Sequence, residues 1–140
     1  MKKHLITFFM VFSFLFFFNM DANASELVNI VSGLDKSYEV TFDTYRVISG
    51  QAERNTQVAI KHYVYDVTGK LVLNKVSIKN VGVSEMFAEI LKLEVGKNTI
   101  KISATLEENI QNIEYTLNKK DEKIKEKLGE IGNIFNLSIN

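Results

Sequence analysis

The chain has 140 residues, 17 Lys plus Arg against 17 Asp plus Glu, and neither proline nor cysteine. A net charge of zero, with both signs interspersed, removes the positive excess that phosphate binding needs, so nucleic acid is not an expected partner and anionic lipid exerts no overall pull. The length suits one core rather than two, and the lack of cysteine excludes both disulfides and lipid attachment through an N-terminal cysteine.

Residues 1–24 read as a secretory signal peptide. Lys2 and Lys3 are followed by an apolar run from Leu5 to Phe18, interrupted only by Thr7 and Ser13, and then by Ala22-Asn23-Ala24, which places cleavage before Ser25. At about 1.5 Å per residue the run spans roughly 21 Å, short of the ~30 Å hydrocarbon core. Stable membrane insertion after cleavage is therefore not expected, and an uncleaved anchor is the alternative. The run also holds most of the phenylalanine in the sequence. Removing residues 1–24 leaves a net charge of about −1. Export without cysteine fits a bacterial protein, secreted or held at the cell surface, better than a small animal secreted domain.

Ser25 to Lys36 mixes short apolar and polar residues and reads as a connecting segment. Tyr38, Val40 and Phe42 share one parity, as a half-buried strand requires, and Tyr45 to Ile48 continues the pattern until Ser49-Gly50 breaks it. Gln51 to Asn55 is turn-like. In Thr56 to Tyr65, Val58, Ile60 and Val64 occupy one face and Ala59, Lys61, Tyr63 and Tyr65 the other. Asp66 to Lys70 forms a hairpin loop in which Gly69 adopts positive φ. Leu71 and Leu73 resume the alternation, and Val76 to Val83 follows with Asn80 and Gly82 as turn or bulge positions. Met86 to Leu93 fits helix or strand, and the flanking turns favour strand. Glu94 to Asn98 turns the chain into a strand with Ile100, Ile102, Ala104 and Leu106 on one face. After Glu107-Glu108-Asn109, Ile113, Tyr115 and Leu117 alternate again. Six or seven short strands with no crossover helix predict an all-β immunoglobulin-like sandwich over residues 25–118.

Beyond Lys119 the period changes. Ile124, Leu128, Ile131 and Phe135 form one helical stripe, with Asn118 as a candidate cap and Asp121 near the helix start. Gly129 and Gly132 each cost roughly 1 kcal/mol there. Residues 119–140 are thus an amphipathic helical or flexible tail that docks on its own domain, stays free or meets a partner. Mixed charge weighs against a membrane surface, which usually meets a basic polar face.

Chemistry is sparse. His62 is the one histidine outside residues 1–24, and a lone histidine without cysteine makes a poor transition-metal site. The acids Asp66, Glu85, Glu89, Glu107 and Glu108 are dispersed, with neither an EF-hand pattern nor a catalytic pair. Neither catalysis nor a cofactor is expected, and a small hydrolase is the alternative. Partner contact is instead assigned to Tyr63, Tyr65 and Lys61, whose rings combine apolar area with a hydroxyl, and to Ile124, Leu128, Ile131 and Phe135.

Val47-Ile48-Ser49-Gly50-Gln51-Ala52, then Asn55 to Ile60, the Tyr65-Asp66 turn with Gly69-Lys70, and Asn98 to Ala104 together resemble bacterial immunoglobulin-like accessory domains, the glucodextranase B-type members among them. The likeness runs from Tyr38 to Leu117 and specifies strands and turns. It implies an extracytoplasmic module acting as a spacer or contacting a protein or glycan. No catalytic domain stands beside the module in this sequence, so the resemblance carries no enzyme activity.

Overall fold

A computed structural model describes residues 26–137, with side chains as far as residue 132. The proposed signal peptide lies outside the described residues. Eight strands are formed: β1 (Val28–Ser32), β2 (Tyr38–Thr41), β3 (Tyr45–Ala52), β4 (Gln57–Tyr65), β5 (Leu71–Asn80), β6 (Met86–Lys92), β7 (Gly96–Leu106) and β8 (Asn109–Lys119). A helix, α1 (Glu122–Leu137), follows. The strands build a three-stranded sheet in the order β1-β3-β6 and a five-stranded sheet in the order β2-β8-β7-β4-β5. All pairs are antiparallel except β2 with β8.

The interior is made by the rows that alternation predicts on the central strands. Ile60 on β4 pairs with Ile102 on β7, and both meet Ile48 and Leu91 of the other sheet in one cluster that also holds Leu93, Ile100 and Leu117. Each such side chain contributes about 1.5–3 kcal/mol by leaving water. Gly50 does not end a strand. It lies inside β3, where a Cβ would sit 2.5 Å from the Phe87 ring, so its missing side chain seats that ring. Gly69 has φ +80 in the β4–β5 hairpin, as the sequence predicts. Asp66 Oδ1 closes that loop by accepting the Thr68 hydroxyl at 2.6 Å and the Lys70 amide at 2.9 Å. These two bonds, the hydroxyl foremost, hold its carboxyl below the usual carboxylate range.

Toward the margins the predicted parity inverts. On β2, Tyr38 and Val40 are exposed while Glu39 and Thr41 turn inward, opposite to the sequence reading. On β5, Leu71, Leu73, Val76 and Ile78 are exposed, and the opposite row of Lys75, Ser77 and Lys79 approaches the other sheet. Leu71 to Asn80 is a single strand with a register shift at Asn74, not two intervals. The segment before Lys36 contains β1. Tyr38 to Thr41 and Tyr45 to Ala52 are separate strands in different sheets rather than one run.

Inward polar rows at the margins meet in ion clusters that tie the two sheets together. On one side Arg46 of β3 donates to Glu39 of β2 at 2.7 Å and lies 3.0 Å from Asp43. On the other, Glu89 of β6 accepts Lys75, Lys79 at 2.8 Å and the Ser77 hydroxyl at 2.8 Å. Burial alone would raise the Glu89 carboxyl, but the bonds from Lys75, Lys79 and Ser77 outweigh it and hold the group at about 2. Lys75 Nζ also donates to the Ile90 carbonyl, which blocks part of the β6 edge from pairing with another strand.

The sandwich has two poles. The described chain enters at one, where Gln111 hydrogen-bonds the Val28 backbone. It leaves at the other, where Lys119 Nζ donates to the Leu93 carbonyl at 3.1 Å and the Lys120 amide to the Thr41 carbonyl at 2.8 Å. The helix cap is Asp121, whose Oδ1 accepts the Lys123 amide at 3.0 Å. Asn118, the cap candidate from sequence, instead belongs to β8 and donates to the Tyr38 hydroxyl.

Candidate functional site

β4 and β5 place their outward residues side by side on the five-stranded sheet. Pairing sets Tyr65 opposite Leu71, Tyr63 opposite Leu73, Lys61 opposite Val76 and Ala59 opposite Ile78. The result is two tyrosines on β4 flanked by an unbroken apolar row on β5. From the other side β7 contributes lysines: Lys97 Nζ lies 5.6 Å from the Tyr65 ring centroid and Lys101 Nζ 5.8 Å from that of Tyr63. Each cation sits over a π face, which holds ring and lysine in a fixed relation and contributes about 0.5–1 kcal/mol at an exposed position. Lys61 and Lys101 stand opposite one another, and Glu114 on β8 offsets that repulsion through a 3.1 Å contact with Lys101.

A shallow depression of about 410 Å³ adjoins Tyr63, lined by Lys61, Lys101, Ser103, Asn112 and Glu114 among others. The Ser103 hydroxyl donates to Asn112 Oδ1 at 2.6 Å across its floor. The three β4 residues selected from sequence therefore share one face. What sequence reading missed is the β5 row beside them, because alternation puts Leu71, Leu73, Val76 and Ile78 on strands without saying which face looks outward.

The helix residues assigned to partner contact are not part of this face. Ile124, Leu128 and Ile131 are exposed, as is every described residue from Asp121 to Gly132, so the domain does not cover the stripe. Phe135 falls on the helix beyond the described side chains. No helix among the described residues is long and apolar enough to cross a membrane.

His62 is fully buried and belongs to the architecture. Asn98 Oδ1 accepts the Glu94 amide at 3.0 Å, which identifies it as the oxygen, so His62 Nε2 donates to it at 2.9 Å and Nδ1 accepts from Asn74. Asn98 Nδ2 donates to the carbonyls of Glu94 at 2.8 Å and Gly96 at 3.0 Å, so one side chain organises the β6–β7 turn.

Among the acids proposed for a hydrolase, Asp66 lies at the pole opposite Glu85 and Glu107, a strand length away, or roughly 25 Å. Glu85 lines a cleft of about 550 Å³ with Glu26 and Glu53, between the ends of β1, β3 and β6. Among the described residues no group of three metal-ligating side chains comes together. Compared with known proteins, the chain matches no family model, and no curated protein is significantly similar to it.

Proposed function

We propose that the chain is an exported, non-enzymatic, immunoglobulin-like module that docks a protein of the cell surface or medium through the outer face of β4 and β5. The observation carrying this reading is the inverted parity of β5. A sandwich strand whose outer face meets only water puts its apolar residues inward and its polar ones outward. Beyond Val72, β5 does the reverse, and the Glu89 cluster is what makes its inward lysines tolerable. Its outward row then continues into Tyr63 and Tyr65 with Lys61 and Lys101 at the side. An apolar centre with tyrosines and a charged surround is the composition of a protein contact surface.

The test places a photo-crosslinking residue at Leu73 or at Ile78, and a control at Val47 on the outer face of the other sheet. Each chain is exposed to the surface and medium proteins of the cells that export it. A discrete adduct from the β5 positions, absent from Val47 and lost in Tyr63→Ala, is the expected result. Identical adducts from both faces, or none from β5, would sink the reading. The depression beside Tyr63 favours a glycan as the second reading, because a ring at the rim of a polar hollow suits stacking on a sugar. Binding to purified surface polysaccharide that disappears in both Tyr63→Ala and Asn112→Ala would move the assignment there.

A further inference from the structure

The exposed stripe of α1 is a separate problem from the β4–β5 face, and the charges around it point to its occupant. Along the sequence, lysine and glutamate alternate between Asp121 and Glu130, which looks like an unsorted polar face. On a helix they sort. With about 100° per residue, Ile124, Leu128 and Ile131 fall within roughly 60° of arc, and Phe135 has the spacing to join them. Lys123, Lys125 and Lys127 then lie roughly 70–110° from the stripe centre, on both sides of it. Glu122, Glu126 and Glu130 lie roughly 130–170° away, on the back of the helix.

We propose that α1 is an interfacial helix that lies on an anionic bilayer surface, with the stripe in the acyl boundary, the lysines at the phosphates and the glutamates facing water. Lysines at the edge of an apolar stripe can bury their methylene stems beside it and raise the ammonium to the headgroups. The glutamates are about a helix diameter from the stripe, on the order of 10 Å, comparable to the Debye length at physiological salt, so the surface attracts the near lysines more than it repels these glutamates. Asp121, which the same projection puts near the stripe, is the cap and turns its carboxylate back to the Lys123 amide. That removes the objection raised by the zero net charge.

The other occupants fit less well. The domain does not cover the stripe, since Asp121 to Gly132 are exposed throughout. The 4-3-4 spacing of Ile124, Leu128, Ile131 and Phe135 would suit a coiled coil with a second copy. Such a pairing, however, sets Lys125 and Lys127 of each copy beside the seam, with no glutamate at a flanking position to meet them. The β4–β5 face of a second copy is lined by Lys61, Lys97 and Lys101 and repels the same lysines. A Cβ added at Gly129 or Gly132 would meet nothing within 4 Å, so neither glycine serves close packing. They weaken the helix in water, and an interface would supply what they remove.

The absence of cysteine from the whole chain makes a local test direct. Full-length protein carrying Leu128→Cys or Glu126→Cys is labelled with an environment-sensitive fluorophore and mixed with vesicles of phosphatidylcholine alone or with phosphatidylglycerol. Comparing the two positions reads the helix itself, whatever other part of the chain meets the vesicle. The expected result is a blue shift and quenching by lipid-borne quencher at position 128 and not at 126, only with phosphatidylglycerol and reversed by high salt. Replacing Lys123, Lys125 and Lys127 by Gln should weaken that response at least tenfold, given about 1 kcal/mol per lysine near an anionic surface. No response at position 128, equal responses at both positions, or equal responses to both vesicle types would overturn the proposal. A shift at position 128 that grows with protein concentration without vesicles would assign the stripe to a second copy instead.

Discussion

Leu117 and Leu128 are the same residue on either side of the junction between β8 and α1, and they have opposite fates. Leu117 is fully buried against Ile100 and its neighbours, whereas Leu128 is 57% exposed. Both lie on periodic apolar rows that the sequence displays equally well. What separates them is a second surface: β8 is covered by the three-stranded sheet, and nothing described covers α1. Periodicity thus identifies a face that needs a partner without saying whether the partner is in the same chain.

The largest effect that would sharpen this contrast is Leu117→Ala, which should lower stability by about 2–5 kcal/mol, read as a fall in denaturant midpoint at constant slope. Nearly as large is Asn98→Ala. It strands the buried His62 Nε2–H, the Glu94 amide and the turn carbonyls at once, and should cost about 2–4 kcal/mol by the same measurement.

A smaller loss comes from the Glu89 cluster, and it depends on pH. The Glu89 carboxyl is held at about 2 in the folded chain against an ordinary value of 4.5. Its contribution is therefore complete above pH 4.5 and is lost as the pH falls toward 2. Because Lys75 is 46% exposed, solvent screening limits that contribution to roughly 1–3 kcal/mol. Glu89→Gln should show the deficit at pH 7 and converge with the unmodified protein in acid; a constant gap down to pH 2 would assign the effect to packing. Smallest of all, Leu128→Ala should leave the midpoint within about 0.5 kcal/mol. A drop comparable to that of Leu117→Ala would mean that the helix docks on the sandwich after all.

The central strands were legible because both of their neighbours lie in the same sheet and their inner rows meet the thickest part of the core. Val58 and Ile60 on β4, and Ile100, Ile102 and Ala104 on β7, follow the pattern throughout. The marginal strands were misread for a physical reason. Their inner rows meet the rim of the core, where Arg46 and Glu89 pair with charged groups of the other sheet, and their outer rows carry Tyr38, Val40 or Ile78. Parity located those strands, and on β2 it assigned the wrong face. β1 escaped notice because its five residues break the alternation, with Ile30 and Val31 adjacent between Asn29 and Ser32, and only its pairing with β3 makes it a strand. Lys61, Tyr63 and Tyr65 were legible as a common face from β4 alone. The β5 half of that face required knowing what lies behind it.

The placement of the two poles has a mechanical consequence. The described chain enters at the Val28 end and leaves past Lys119 at the other, so tension between these points runs along β1 and β8. The ladder bonds that join β8 to β7 and to β2 lie across that direction. They resist such a pull in shear and must yield together, whereas a hairpin drawn from one end unzips one bond at a time. Coupled at both poles, the domain would transmit force as a stiff link.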